Sequence, residues 1–262
     1  MTLEQLLSAE FATIPDLVRA HATERPDAIA VADPDTRLSW AEFDRLGDRI
    51  ASRLQREGIG PGSTVALAGY NSAWHVAIWL GVLRTGAVAG LITVSATGEQ
   101  MAAMIADTGT KHLFLDASAA ATLKGFDLGN IQRIAMDGSD AGEPLREWMD
   151  PEGSAPKPVE IMPESGFNII YSSGTTGIPK GIVHSHAMRW QHIQRGLPAY
   201  GPASVTILST PMYSNTTMAS FLPTMGSGGK IVLMKKFDAH GFLELAERER
   251  AIARRVAGEV PA

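Results

Sequence analysis

Residues Tyr171 to Gly181 read YSSGTTGIPKG. Three glycines, four hydroxyl side chains, one proline and one lysine follow an aromatic within ten positions. Glycines let a backbone turn so that several N–H groups face one anion. Ser172, Ser173, Thr175 and Thr176 add hydroxyl donors, and Lys180 adds a cation that meets phosphate oxygens as a point charge. Pro179 stiffens the segment just before the lysine. These are the parts of a polyphosphate cradle. The spacing differs from the common nucleotide loop, which sets two glycines four residues apart and follows Lys with Ser or Thr. Here Gly174 and Gly177 are two residues apart, and Gly181 follows Lys180. The GxGxxG dinucleotide fingerprint is absent from the segment as well. By composition alone the alternative is a plain hairpin or linker, because Gly/Ser/Thr clusters mark loops.

Two further sets of residues could do chemistry. His184 and His186 form an H-x-H pair, with His192 beyond it. A metal site would need a third ligand and a defined strand or helix to carry the pair. His75, His112 and His240 read as structural or solvated. The stretch TPMYSNTT places Tyr213, Ser214 and Asn215 after Pro211, where a Ser/Asn pair also serves as an ordinary helix cap.

The elements that must position these residues alternate. Ser39-Trp40-Ala41-Glu42 is a capping box, followed by Phe43, Leu46, Ile50 and Leu54 at helical spacing and by Gly58 as a stop. Thr64–Ala68 reads as a buried strand, and Asn71 or Ser72 caps a helix running to about Arg84. Val88–Ile92 is the next strand. Thr97 with Gln100 forms a second capping box, opening a helix that ends near Gly109. Strands are expected at His112–Leu115 and Ile131–Met136. Five prolines make Pro144 to Pro163 the main internal boundary. FNIIYSS then runs as a strand into the glycine-rich segment. A helix over Ala187–Leu197, strands over Ser204–Thr210 and Lys230–Met234, and a helix over Ala239–Arg250 complete the reading. Such alternation predicts an α/β fold with mostly parallel sheets covered by helices. In such folds ligands gather at the carboxyl ends of strands, where the glycine-rich segment sits.

Composition bounds the function. The chain has 262 residues, 45% of them hydrophobic and 19% charged, with a formal net charge of −5. That is a globular composition with no basic face for nucleic acid. There are no cysteines, so disulfides, thiolate metal sites and a cysteine nucleophile are excluded, and a cytoplasmic location is expected. The N-terminus has no basic stretch of the kind that opens a secretory signal. Ala73 to Val94 is apolar enough to suggest a membrane span, but Arg84-Thr85-Gly86 falls inside it. A buried helix followed by a buried strand is the expectation there, with no membrane span.

The segment YSSGTTGIPKG closely resembles the phosphate loop of the adenylate-forming superfamily of acyl- and aryl-CoA synthetases, peptide-synthetase adenylation domains and luciferases. LSWAEFDRLGDRIASRLQREGIGPGSTVAL, LRTGAVAGLI, TPMYSNTT and MKKFDAHGFLELAERER resemble other family segments, so the likeness runs from about residue 10 to residue 250. It implies layered α-β-α lobes with mostly parallel sheets. The first lobe would cover about residues 55–200, and an incomplete second lobe would combine residues 1–54 with 201–262. It also implies an AMP-forming ligase acting on a small-molecule carboxylic acid, ATP and coenzyme A.

By that resemblance, Ser173, Gly174, Thr175, Thr176, Gly177 and Gly181 would surround the β- and γ-phosphates. Thr176 and Lys180 would act as pyrophosphate leaves, and Ser172 stands where relatives can contact Mg²⁺. Tyr213, Ser214 and Asn215 would line the acid pocket; many acyl-CoA synthetases have a histidine where this chain has Ser214. A histidine soon after the Lys-Gly pair packs near the loop in relatives. A CoA ligase is expected in preference to a peptide-synthetase module, because no carrier domain flanks the match. The family's later motifs for adenine, ribose and a catalytic lysine on a C-terminal cap domain are not found before Ala262. A truncated chain, inactive alone and prone to self-association through an unpaired strand edge, is therefore expected. The alternative is a phosphate-binding fragment or one half of a split enzyme.

Overall fold

The computed structural model describes residues 1–172, 179–249 and 251. Two helices come first, α1 (Leu3–Ser8) and α2 (Ile14–Glu24), followed by β1 (Ile29–Ala32), β2 (Arg37–Ser39) and the long helix α3 (Trp40–Arg56). Then β3 (Thr64–Ala68), α4 (Ala73–Arg84), β4 (Val88–Leu91), α5 (Gly98–Asp107), β5 (His112–Leu115), α6 (Ala117–Thr122) and β6 (Gln132–Ala135) alternate. A short pair, β7 (Glu143–Pro144) and α7 (Leu145–Trp148), leads to the hairpin of β8 (Gly166–Ser172) and β9 (Lys180–Ser185). The described chain closes with α8 (His186–Gly196), β10 (Val205–Leu208), α9 (Asn215–Gly226), β11 (Lys230–Leu233) and α10 (Ala239–Glu249).

Local chemistry sets the helix starts. Ser39 Oγ accepts from the Glu42 amide while the Glu42 carboxylate accepts from the Ser39 amide at 2.8 Å. Thr97 and Gln100 repeat the arrangement at the head of α5. Both capping boxes satisfy donors that a helix start leaves unpaired.

Strands form two sheets. The larger has the order β7-β6-β5-β3-β4-β8-β9, parallel throughout except for the antiparallel β8–β9 pair. The smaller has the order β10-β11-β1-β2, with β1 parallel to β11 in the register Val31↔Ile231. Strands from near the chain's start thus complete a sheet begun after residue 200. Helix α4 is buried on every side, as its unbroken apolar sequence requires. Trp79 on α4 meets Phe167 of β8 at 5.6 Å and Phe221 of α9 at 5.1 Å, tying the region of both sheets into one core.

Two expectations meet different outcomes here. The apolar run from Ala73 is a buried helix followed by a buried strand. Arg84 at its centre is itself buried and paired with Asp44 and with Asp48 at 2.8 Å. No helix among the described residues is long and apolar enough to cross a membrane. The proline-rich stretch from Pro144 to Pro163, by contrast, does not divide the molecule: it joins β7 to β8 within one sheet. Prolines keep it extended, and α3 holds it down. Ser52 donates to Asp150 at 2.7 Å, Arg56 pairs with Asp150, and Gln55 exchanges two hydrogen bonds with the Lys157 backbone at 2.7 and 2.9 Å.

Candidate functional site

Strand β8 runs parallel to β4 and ends at Ser172, at the carboxyl edge of the larger sheet. The chain returns as β9, with Ser172 opposite Lys180 and Tyr171 opposite Gly181. The glycine-rich segment therefore closes a hairpin at the edge where ligands of parallel sheets collect. Strand β9 was not legible beforehand, because KGIVHS mixes a glycine and polar residues with only two β-branched positions. Ser173, Gly174, Thr175, Thr176 and Gly177 lie outside the described residues. Ser172, Lys180 and Gly181 are brought together and are exposed, and among the described residues Lys180 makes no ion pair.

The stem of this hairpin is anchored from below. The Tyr171 hydroxyl lies 2.9 Å from Asp107 Oδ2 and 3.0 Å from the Met104 carbonyl at the end of α5. Burial, and then the Asp107 carboxylate, raise the phenol's pKa, so Tyr171 remains a hydrogen-bond donor. Gly181 faces this anchor closely. A Cβ there would sit 3.0 Å from Ile169 Cγ2 and 3.1 Å from both Asp107 Oδ2 and Tyr171 Cε1. The glycine after the lysine thus serves close packing within β9.

Tyr213, Ser214 and Asn215 gather at the head of α9. Ser214 is the helix cap, its Oγ accepting from the Thr216 amide at 3.2 Å. The Tyr213 hydroxyl points to Ser95 Oγ, 3.4 Å away in the segment after β4. Buried Asn71, just past β3, fixes the approach to α9: its Nδ2 donates to the Thr210 carbonyl at 2.9 Å and its Oδ1 accepts from the Met212 amide at 3.0 Å. The cap of α4 falls instead to Ser72, which accepts from the His75 amide. The segments after β3, β4 and β10 therefore converge on the Tyr213–Asn215 stretch.

Sequence reading did not single out Arg189 of α8. It is buried, and its Nε donates to Asn168 Oδ1 at 3.0 Å while Nη2 donates to Asn215 Oδ1 at 3.0 Å. Burial pulls this guanidinium down to about 10. Burial and the Arg189 charge also lower the pKa of His184 and His192, which keeps them neutral. His186 is pulled down to about 4 by burial alone and packs edge-on against Phe167 at 4.9 Å. Among the described residues no three His, Cys, Asp or Glu side chains gather to hold a metal, so the H-x-H pair has no third ligand there. His75 and His112 are buried with backbone and Glu57 partners, and His240 is exposed beside Glu244.

Comparison with known proteins agrees with this architecture. Indoleacetate–CoA ligase of Aromatoleum aromaticum is 29% identical over 248 residues, covering 90% of this chain and 48% of that protein. Phosphinothricin tripeptide synthetase PhsB of Streptomyces viridochromogenes is 28% identical over 231 residues, covering 87% of this chain and 19% of that one. The N-terminal domain of FACL13 from Mycobacterium tuberculosis, solved with an inhibitor bound, aligns with a TM-score of 0.78 at 26% identity, covering 91% of this chain and 61% of that one. The chain thus spans about half the length of the CoA ligase relative, and both CoA ligases and peptide synthetases are among its likenesses. The family model for AMP-binding enzymes matches residues 18–253, and with the parallel sheets and the loop signature in place, the chain belongs to the AMP-binding enzyme family.

Proposed function

We propose that these residues carry the phosphate-loop part of an AMP-forming acid–thiol ligase. A carboxylate oxygen attacks the α-phosphorus of ATP, the bond to the pyrophosphate oxygen breaks, and an acyl-adenylate and pyrophosphate result. The thiol of coenzyme A then displaces AMP and leaves as the acyl thioester. One observation carries the reading: the hairpin sets Ser172 opposite Lys180 at the carboxyl edge of a parallel sheet, with Lys180 exposed and unpaired among the described residues. An ammonium group already in place there stabilises charge as pyrophosphate departs, without reorganising during the step.

The loop amides with Ser173, Gly174, Thr175, Thr176, Gly177 and Gly181 are assigned to the β- and γ-phosphates. Tyr213, Ser214 and Asn215 are assigned to the acid. The larger sheet and its helices, about residues 55–200, are proposed as one lobe, and residues 1–54 with 201–262 as part of a second. For Mg²⁺, Ser172 offers one neutral oxygen, and among the described residues no acidic or histidine cluster stands beside it. These residues do not build a resident metal site; Mg²⁺ is proposed only as the ion that arrives with ATP. Adenine and ribose contacts are assigned to no residue here, and adenylate formation by the 262 residues alone is proposed to be slow.

The test is calorimetric titration of the chain with Mg-ATP. Lys180→Ala should weaken binding about fivefold, since an exposed charge contact contributes up to about 1 kcal/mol. Equal affinities would remove the lysine's role, and no binding by the unaltered chain would remove the cradle.

A further inference from the structure

The other deeply buried guanidinium, Arg84, has two aspartates beside it, but Arg189 has none among the described residues. Its partners are all neutral: Asn168 Oδ1 at Nε, Asn215 Oδ1 at Nη2, and His192 Nδ1 lying 3.4 Å from Nη1. Arg189 is 1% exposed and Asn168 0% exposed, and among the described residues Asn168 Nδ2 is a buried donor without an acceptor. A buried cation is ordinarily matched by an anion, and a buried donor by an acceptor. This cluster has donors in surplus and lacks the acceptor that would balance them.

The geometry indicates where that acceptor would enter. The Nη edge of a guanidinium is the side that binds a carboxylate through two parallel hydrogen bonds. Here it faces half-buried His192 and exposed Asn215, the latter at the head of α9 beside Ser214 and Tyr213. Distance then selects which carboxylate. Asn168 precedes Ser172 by four strand residues, about 13 Å at ~3.3 Å per residue. A carboxylate bound at Arg189, beside Asn168, is therefore set back along β8 from Ser172, where the loop begins, and is a second group distinct from the one activated there.

We infer that Arg189 determines specificity by receiving a second carboxylate, at the far end of a dicarboxylic acid whose first carboxylate is activated at the loop. Asn215 and His192 give up their places on the Nη edge when that group arrives. The inference deepens the acid–thiol ligase reading and rests on it.

The test compares acids of equal carbon number, hexanoate with adipate and decanoate with sebacate, by calorimetric titration of the 262-residue chain in the presence of Mg-ATP. At the length that fits, the diacid should bind about tenfold more tightly than the monoacid, the gain expected for hydrogen bonds between charged partners. Arg189→Met should abolish that preference and Arg189→Lys should keep part of it. Urea unfolding of Arg189→Met supplies a second readout. Loss of a buried charge that has no counter-ion should leave stability equal or higher, whereas a purely structural clamp would lose stability and leave acid preference unchanged. Monoacids binding as well as diacids at both lengths, or a diacid preference surviving in Arg189→Met, overturns the inference and leaves the ligase reading intact. Binding of neither kind of acid overturns it too, while the Lys180 titration with Mg-ATP judges the phosphate cradle independently.

Discussion

His186 should make the fold sensitive to mild acid. The ring is 3% exposed, packs against Phe167, and has a buried Nε2 with no partner among the described residues. Burial holds its pKa at about 4 in the folded chain, against about 6.5 in an unfolded one. Between those values the unfolded chain binds the proton and the folded chain does not, so stability is lost as pH falls. From pH 6.5 to pH 5 the loss is about 1.5 pH steps at ~1.4 kcal/mol each, or roughly 2 kcal/mol from this one residue. Burial also lowers the pKa of His21, His75, His184 and His192, and each adds to the effect with the same sign. The assay is urea unfolding at pH 7 and pH 5, followed by tryptophan fluorescence, for the chain and for His186→Phe. The variant should retain the part of the pH dependence owed to the other histidines and lose about 2 kcal/mol of it. Equal pH dependence in the two proteins would show that His186 takes up its proton without unfolding, which would refute the burial argument.

Two more perturbations probe the elements that carry the site. Arg84→Met leaves Asp44 and Asp48 buried with only half-exposed Arg19 beside them, and should cost about 3 kcal/mol in urea unfolding; adding Asp44→Asn and Asp48→Asn should recover part, and an unchanged midpoint would mean that Arg19 suffices. Gly181→Val presses on Ile169, Asp107 and Tyr171 and should cost roughly 1–2 kcal/mol. Measured stability equal to that of the unaltered chain would show that β9, lying at the sheet edge, moves aside.

Different residues were legible to different degrees. Both capping boxes and strands such as Thr64–Ala68 and His112–Leu115 stood where local pattern put them, because capping and short apolar runs act within a few residues. Strand β9 was missed because its pairing comes from β8 across the turn and not from its own propensity. The prolines of residues 144–163 suggested a boundary because they mark irregular chain, but Gln55, Ser52 and Arg56 hold that chain against α3. Asn71 and Ser72 were alternative caps in the sequence; Ser72 is the cap, and only the fold shows Asn71 gripping residues 210–212, the first of them 139 positions away. Arg189 carried no signal, since one arginine in an amphipathic helix ordinarily faces water.

What the sequence determined by itself was chemistry and alternation. A loop of glycines, hydroxyls and one lysine, set after an apolar strand in a strand–helix series, supplies the residue types a phosphate cradle needs and points to mostly parallel sheet, from neighbouring residues alone. Tertiary structure decided which distant residues share a surface. It paired β1 with β11, set Lys180 opposite Ser172, and buried Arg189 among neutral partners at the head of α9. Such contacts depend on how helices and sheets pack in three dimensions, and a one-dimensional pattern records the surfaces that pack but not their partners.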